Sequence, residues 1–156
     1  MSEPSVNQAT TQVYKHGFGL KKEVVEELNR RYNDSYLLEY LRSHQNQLSV
    51  GRDRIFLAQE FGFCYGVDKA IDFAYETRRQ FPDRRIFLTD EIIHNPRVNH
   101  ELMDIGIQFL SGTYAEGMSI DDLKVEDVVI IPAFGTTTVL EKKLRDRKST
   151  RLNSSH

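Results

Sequence analysis

Between Arg52 and Leu110 the hydrophobic pattern keeps changing its period, and that alternation limits the chain to one fold class. The spacing predicts a strand over 54–58, a turn around Cys64, a helix over 67–80, a turn at Pro82-Asp83, a strand over 86–89, a helix over 96–105 and a strand over 107–110. Strands that alternate with helices in this way form an α/β fold, a parallel sheet with flanking helices. Further on, Val128-Val129-Ile130-Ile131 is an unbroken apolar run, as in a strand covered on both faces. It ends in Pro132-Ala133-Phe134-Gly135, after which Thr136, Thr137 and Thr138 offer capping hydroxyls to a helix containing Val139, Leu140 and Leu144. Ligands of such sheets gather at the carboxyl ends of the strands. The Cys64 turn, the loop from Thr89 to Pro96 and the loop at Gly135 are all expected at that edge.

Residues 1–50 read as a helical N-terminal extension, and 51–145 as the α/β domain. The first 19 residues are polar and aperiodic, which suggests a flexible lead-in ending in a turn. Leu20, Val24 and Leu28 then mark one face of a surface helix reaching Tyr32, with Lys21, Lys22, Glu23, Glu26 and Glu27 towards water. Asp34 or Ser35 can cap a second helix, with Leu37, Leu38 and Leu41 on its apolar side, running to about His44. His16 and His44 have no acidic or cysteine partner at ligand spacing and are assigned to the surface, and His100 to the exposed side of its helix. A net charge of −2 with interspersed basic residues argues against a nucleic-acid partner. No apolar run approaches the ~20 residues needed to span a bilayer, and the opening residues lack a signal-peptide pattern. A cytoplasmic location is the expectation, and the single cysteine, which excludes an internal disulfide framework, agrees with it.

Two loops carry residues with chemical potential. In Phe61-Gly62-Phe63-Cys64-Tyr65-Gly66-Val67 the lone thiol stands just before a helix N-terminus, where the dipole and unpaired N–H groups favour a thiolate. Glycines on both sides would let a bulky group approach the backbone. Cys64 is thus a candidate metal ligand; as the competing reading, it is a small buried hydrophobe. His94 precedes Asn95, a good N-cap, and Pro96, suited to the first helical position. An imidazole beside free backbone donors makes a candidate phosphate site, against which stands a purely structural histidine. Glu91 and His94 have the Glu-x-x-His spacing of di-iron proteins, but the motif occurs once and across a strand end, so that reading is excluded. No His or Asp pair stands at a recognisable spacing to Cys64 for thiol catalysis.

Taken in order, Gly62-Phe63-Cys64-Tyr65-Gly66-Val67-Asp68-Lys69-Ala70, Glu91-Ile92-Ile93-His94-Asn95-Pro96 and Pro132-Ala133-Phe134-Gly135 resemble the start of the 4-hydroxy-3-methylbut-2-enyl diphosphate reductase (LytB) family. The similarity runs from about Arg54 to Leu144. The two-helix extension and Tyr75-Glu76-Thr77-Arg78 resemble the longer version of cyanobacteria and plastids. This resemblance implies three α/β domains, of which 51–145 is the first. Also implied is a 4Fe-4S cluster held by three cysteines, with Cys64 one ligand and His94 a contact to the diphosphate of the small-molecule substrate. The implied reaction removes an allylic hydroxyl with two electrons and two protons, giving isopentenyl and dimethylallyl diphosphates in the methylerythritol phosphate pathway. Ferredoxin or flavodoxin would deliver the electrons.

The sequence departs from that family at Phe134-Gly135, where many members have His-Gly, a subtype feature of the longer version. The other two cysteines and the proton-relaying glutamate have no counterpart, so the chain alone is expected to be inactive. Residues 146–156 read as a translated sequencing adapter rather than native sequence, and the natural gene is expected to continue beyond Arg145. The runner-up reading is a small α/β module that binds a phosphorylated ligand through His94, Asn95 and the following helix, with Cys64 structural.

Overall fold

The computed structural model describes residues 12–14, 16–32, 34–132, 134–146 and 150–153. Along the chain run β1 (Val13–Tyr14), α1 (Lys21–Tyr32), α2 (Tyr36–Ser43), β2 (Gln47–Val50), β3 (Asp53–Phe56), α3 (Tyr65–Gln80), β4 (Ile86–Leu88), α4 (Pro96–Asp104), β5 (Ile107–Phe109), β6 (Val128–Ile131), α5 (Thr138–Asp146) and β7 (Thr150–Asn153). A 3-10 turn at Ile120–Asp122 is closed by a capping box between Ser119 and Asp122.

Five strands form one sheet in the order β1-β7-β6-β4-β5, with every neighbouring pair parallel. At its centre Ile86, Phe87 and Leu88 pair with Val128, Val129 and Ile130, and on the other side with Ile107, Gln108 and Phe109. Side chains alternate across a strand, so the sheet has two apolar faces. Ile86, Leu88, Val128 and Ile130 join Val24, Ala74 and Leu102 from the helices on one face; Phe87, Val129 and Ile131 join Leu123 and Leu144 of α5 on the other. The expected flanked parallel sheet is present.

Three details depart from the sequence expectations. The strand expected at 54–58 is β3, which pairs antiparallel with β2 in a separate hairpin and lies exposed, outside the parallel sheet. Gly51, at φ +61°, closes this hairpin next to Arg52. Because Val50 faces Asp53, the hairpin also straddles the expected division at 50/51. In α2, Leu41 is buried but Leu37 is 53% exposed, since the short helix turns only one edge inward.

The expected flexible lead-in is fastened over its described part. Tyr14 and Phe18 pack on Phe81, and Phe18 stacks on Phe73 at 5.9 Å. The buried carboxylate of Glu76 accepts hydrogen bonds from Phe18 N (2.7 Å) and Leu20 N (3.3 Å), at the head of α1. Residues 1–11 of that segment lie outside the described residues. The stretch read as adapter contains β7, set parallel beside β6, where α5 delivers the chain to an open strand edge whose backbone groups need partners; residues 147–149 and 154–156 are outside the description.

Candidate functional site

Because β4 and β6 are parallel neighbours, the loops following them, 89–95 and 132–137, leave the same sheet edge. α3 runs back from that edge to the start of β4, which puts its head, and Cys64, on the same side. All three candidate loops thus share one end of the molecule, as the topology rule for parallel sheets requires. Ala133, within the third of them, lies outside the described residues.

Cys64 is the N-cap residue of α3, with extended backbone (φ −69°, ψ 156°); its side chain makes no capping bond and its carbonyl accepts from Asp68 N at 3.0 Å. The thiol is exposed, which corrects the reading of a buried hydrophobe. Gly62 has φ +136°, a conformation that glycine adopts freely and that permits the sharp entry into the turn. A Cβ built on Gly66 would meet nothing within 4 Å, so there is open space beside the sulfur's own segment. Next to it the Lys69 ammonium lies 4.7 Å from the centroid of the exposed Tyr65 ring.

The second loop is held from below. Asn99, fully buried in α4, donates through Nδ2 to Glu91 Oε2 (2.7 Å) and to the Ile93 carbonyl (3.3 Å). Glu91, mostly buried, in turn lies 3.3 Å from His94 Nδ1, while its own N–H donates to Asp90 Oδ1 at 2.8 Å. Ser111 Oγ ties the preceding Thr89 carbonyl at 2.8 Å. His94 itself is 94% exposed in its side chain. A buried amide thus orients a carboxylate, and the carboxylate faces an imidazole presented to solvent.

The anion site expected from free donors at the head of α4 does not exist in that form. Asn95 Oδ1 accepts from both Arg97 N (3.0 Å) and Val98 N (3.3 Å), and Pro96 has no N–H. The helix start is satisfied by its own cap, so an anion reaching this loop would meet the imidazole of His94. The phosphate-module reading loses its backbone donors accordingly.

A cleft of about 500 Å³ joins these features to the N-terminal helices: Gly62 and Phe63 line it from the Cys64 turn, Asn95 and Arg97 from the head of α4, and Leu28, Tyr32 and Arg42 from α1 and α2. It touches the residue before Cys64 and the residue after His94 without including either side chain. His16, His44 and His100 are exposed as expected; His100 packs edge-on to Tyr114 at 5.4 Å.

Among the described residues no group of three or more His, Cys, Asp or Glu side chains is disposed to hold a metal ion. One exposed thiol does not meet the three or four protein ligands of an iron–sulfur cluster, so these residues do not by themselves fit the cofactor that the family resemblance implies. No described helix is long and apolar enough to cross a membrane. The sequence pointed to Cys64 and His94 but not to Glu91 and Asn99 as a pair; the signal available was an asparagine one position from Val98 on the buried side of α4.

The profile of the family described as LytB protein matches residues 55–154. A 4-hydroxy-3-methylbut-2-enyl diphosphate reductase of Acaryochloris marina is 41% identical over 144 residues, covering 92% of this chain and 34% of that protein. The protein of the same name from Gloeobacter violaceus is 43% identical over 140 residues, covering 87% and 33%. Among solved structures, that of the E-1-hydroxy-2-methyl-but-2-enyl-4-diphosphate reductase from Plasmodium falciparum is similar in fold, with a TM-score of 0.51 at 22% identity, over 62% of this chain and 28% of that one. The chain spans about a third of the length of the curated relatives it matches.

Proposed function

The chain belongs to the LytB protein family, and from that membership we propose that it forms the first third of an iron–sulfur oxidoreductase. Its substrate is 4-hydroxy-3-methylbut-2-enyl diphosphate and its products are isopentenyl and dimethylallyl diphosphates, in isoprenoid biosynthesis. Residues 51–145 are the first α/β domain, 1–50 its helical extension, and 146–156 adapter-derived sequence. Within this reading Cys64 is one protein ligand of a 4Fe-4S cluster and His94 contacts the substrate diphosphate. The reading rests on one observation above the others: the segment matched by the family carries its single cysteine exposed, at the head of a helix, on the ligand-gathering edge of a parallel sheet.

A cluster held jointly by Cys64 and ligands from the rest of the enzyme would supply electrons to the reduction, and ferredoxin or flavodoxin would deliver them. No step of the reduction is assigned to this chain alone, because one thiolate cannot hold the cluster. What its residues contribute is an accessible sulfur and a positioned imidazole, the latter set by Glu91 and Asn99.

The test joins residues 1–145 to the remaining two-thirds of the Gloeobacter violaceus relative and purifies the product without oxygen. Bound iron and sulfide, the visible absorbance of the cluster and turnover of the diphosphate are then measured. Cys64→Ser is expected to abolish iron retention. His94→Ala should keep the iron and lower kcat/KM roughly tenfold to a hundredfold, the worth of one charge-assisted hydrogen bond. Full iron content in the Cys64→Ser protein would sink the assignment.

A further inference from the structure

We propose that Tyr32, the last residue of α1, is the positioning residue through which the N-terminal helices hold the Cys64 turn. That turn has few restraints of its own. The Cys64 side chain makes no capping bond, the glycines at 62 and 66 have open space around them, Phe61 and Tyr65 are exposed, and β3 before it lies exposed. Phe63 and Val67 are the half-buried side chains of the segment, both packed on the core, and Tyr32 meets the Phe63 ring edge-on at 5.9 Å and 74°. The other edge of the contact is Tyr75 on α3, at 6.4 Å and 78° from Tyr32. Tyr32 therefore bridges the turn to the helix that Cys64 caps. Such edge-to-face pairs are directional and resist sliding.

The bridge has a firm footing. α1 is seated on α3 by Val24 and Leu28, by the Lys21–Asp72 pair at 2.5 Å and by the Glu76 carboxylate ahead of its first turn. At its far end the Arg31 carbonyl accepts from Arg97 Nη2 of α4 at 2.5 Å. The second helix of the extension also reaches the segment, since the Arg42 guanidinium lies 5.5 Å over the Phe61 ring. The ring of Tyr32, not its hydroxyl, makes the bridge. The buried hydroxyl lies near the Tyr75 hydroxyl and Glu101 Oε2, but none of these three oxygens makes a hydrogen bond of good geometry among the described residues. Burial raises the proton affinity of both phenols, so they stay neutral.

The weight of this bridge for the reaction rests on Cys64 being a cluster ligand; the bridge itself is testable without any cluster. Amide hydrogen exchange is followed by mass spectrometry on peptides covering 61–68 in the full chain. Tyr32→Ala is expected to speed exchange there roughly twofold to tenfold, the effect of one lost aromatic pair on a local opening equilibrium, while Tyr32→Phe leaves it unchanged. Rates are read relative to peptides of β6, so that a general loss of stability cancels. Tyr32→Leu, which retains bulk without an aromatic edge, replaces the alanine variant if that one does not fold, with the same rise expected. An unchanged rate in the alanine or leucine variant overturns the proposal, as does an equal rise in Tyr32→Phe. Either result would leave the iron-binding test of the joined protein untouched.

Discussion

Asn99 decides more about the His94 loop than any residue in the loop itself. It is fully buried, and its amide donates to Glu91 and to the Ile93 carbonyl, the two points that fix the path of the chain up to His94. Asn99→Ala should cost about 1–3 kcal/mol, because the Glu91 carboxylate then loses its buried donor; urea unfolding measures this as a lower midpoint at unchanged slope. The contrast with Asn95 shows what a sequence can reveal at this scale. Asn95 and Pro96 act on the next few residues, so cap and helix start were legible from their order alone. Asn99 and Glu91, like Tyr32 and Phe63, meet only after strands and helices have packed, and nothing local marks them as partners.

The helices were legible as elements because their burial is periodic, and each observed helix lies within a residue or two of its expected bounds. The position of β3 was not. Ile55-Phe56-Leu57-Ala58 has the composition of a sheet strand, but β2 lies one short turn away, and closing a short loop costs less chain entropy than joining strands far along the sequence. The seating of α1 on α3 carries a pH signature of its own. The hydrogen bond to Asp72, and secondly its charge, raise the proton affinity of Lys21 above the ordinary lysine value. The folded state therefore favours protonated Lys21, and the stabilisation is complete below the unfolded lysine pKa of about 10.4 and fades as pH rises through the higher folded value. Lys21 is largely exposed, so Lys21→Met should lose at most about 1 kcal/mol at neutral pH. Thermal melts of the two proteins should converge above that alkaline range; a gap that persists there would assign the loss to packing instead.

At the scale of the whole molecule, the two-faced sheet followed from the unbroken apolar run at 128–131, and the structure buries all four of those residues. The apolar surface left uncovered could not be read in the same way, since exposure depends on what stands opposite. Phe56, Tyr65, Phe134 and Val139 are each more than 60% exposed, three of them on the loops or helix heads at the carboxyl edge. Exposed apolar area of this kind drives association. Sedimentation velocity across a concentration series should show reversible self-association, weakened by combining Tyr65→Ser with Phe134→Ser. A monomer at all concentrations would mean that these side chains are individually well solvated.

The solitary exposed thiol of Cys64 has a practical consequence as well. Any maleimide dye, spin probe or gold surface will react at one atom per chain, always at the head of α3, so every tethered molecule presents the same orientation. Stored in air, the same atom invites a covalent dimer through an intermolecular sulfur–sulfur bond. Unlike the apolar association, that dimer would survive dilution and disappear with a reductant.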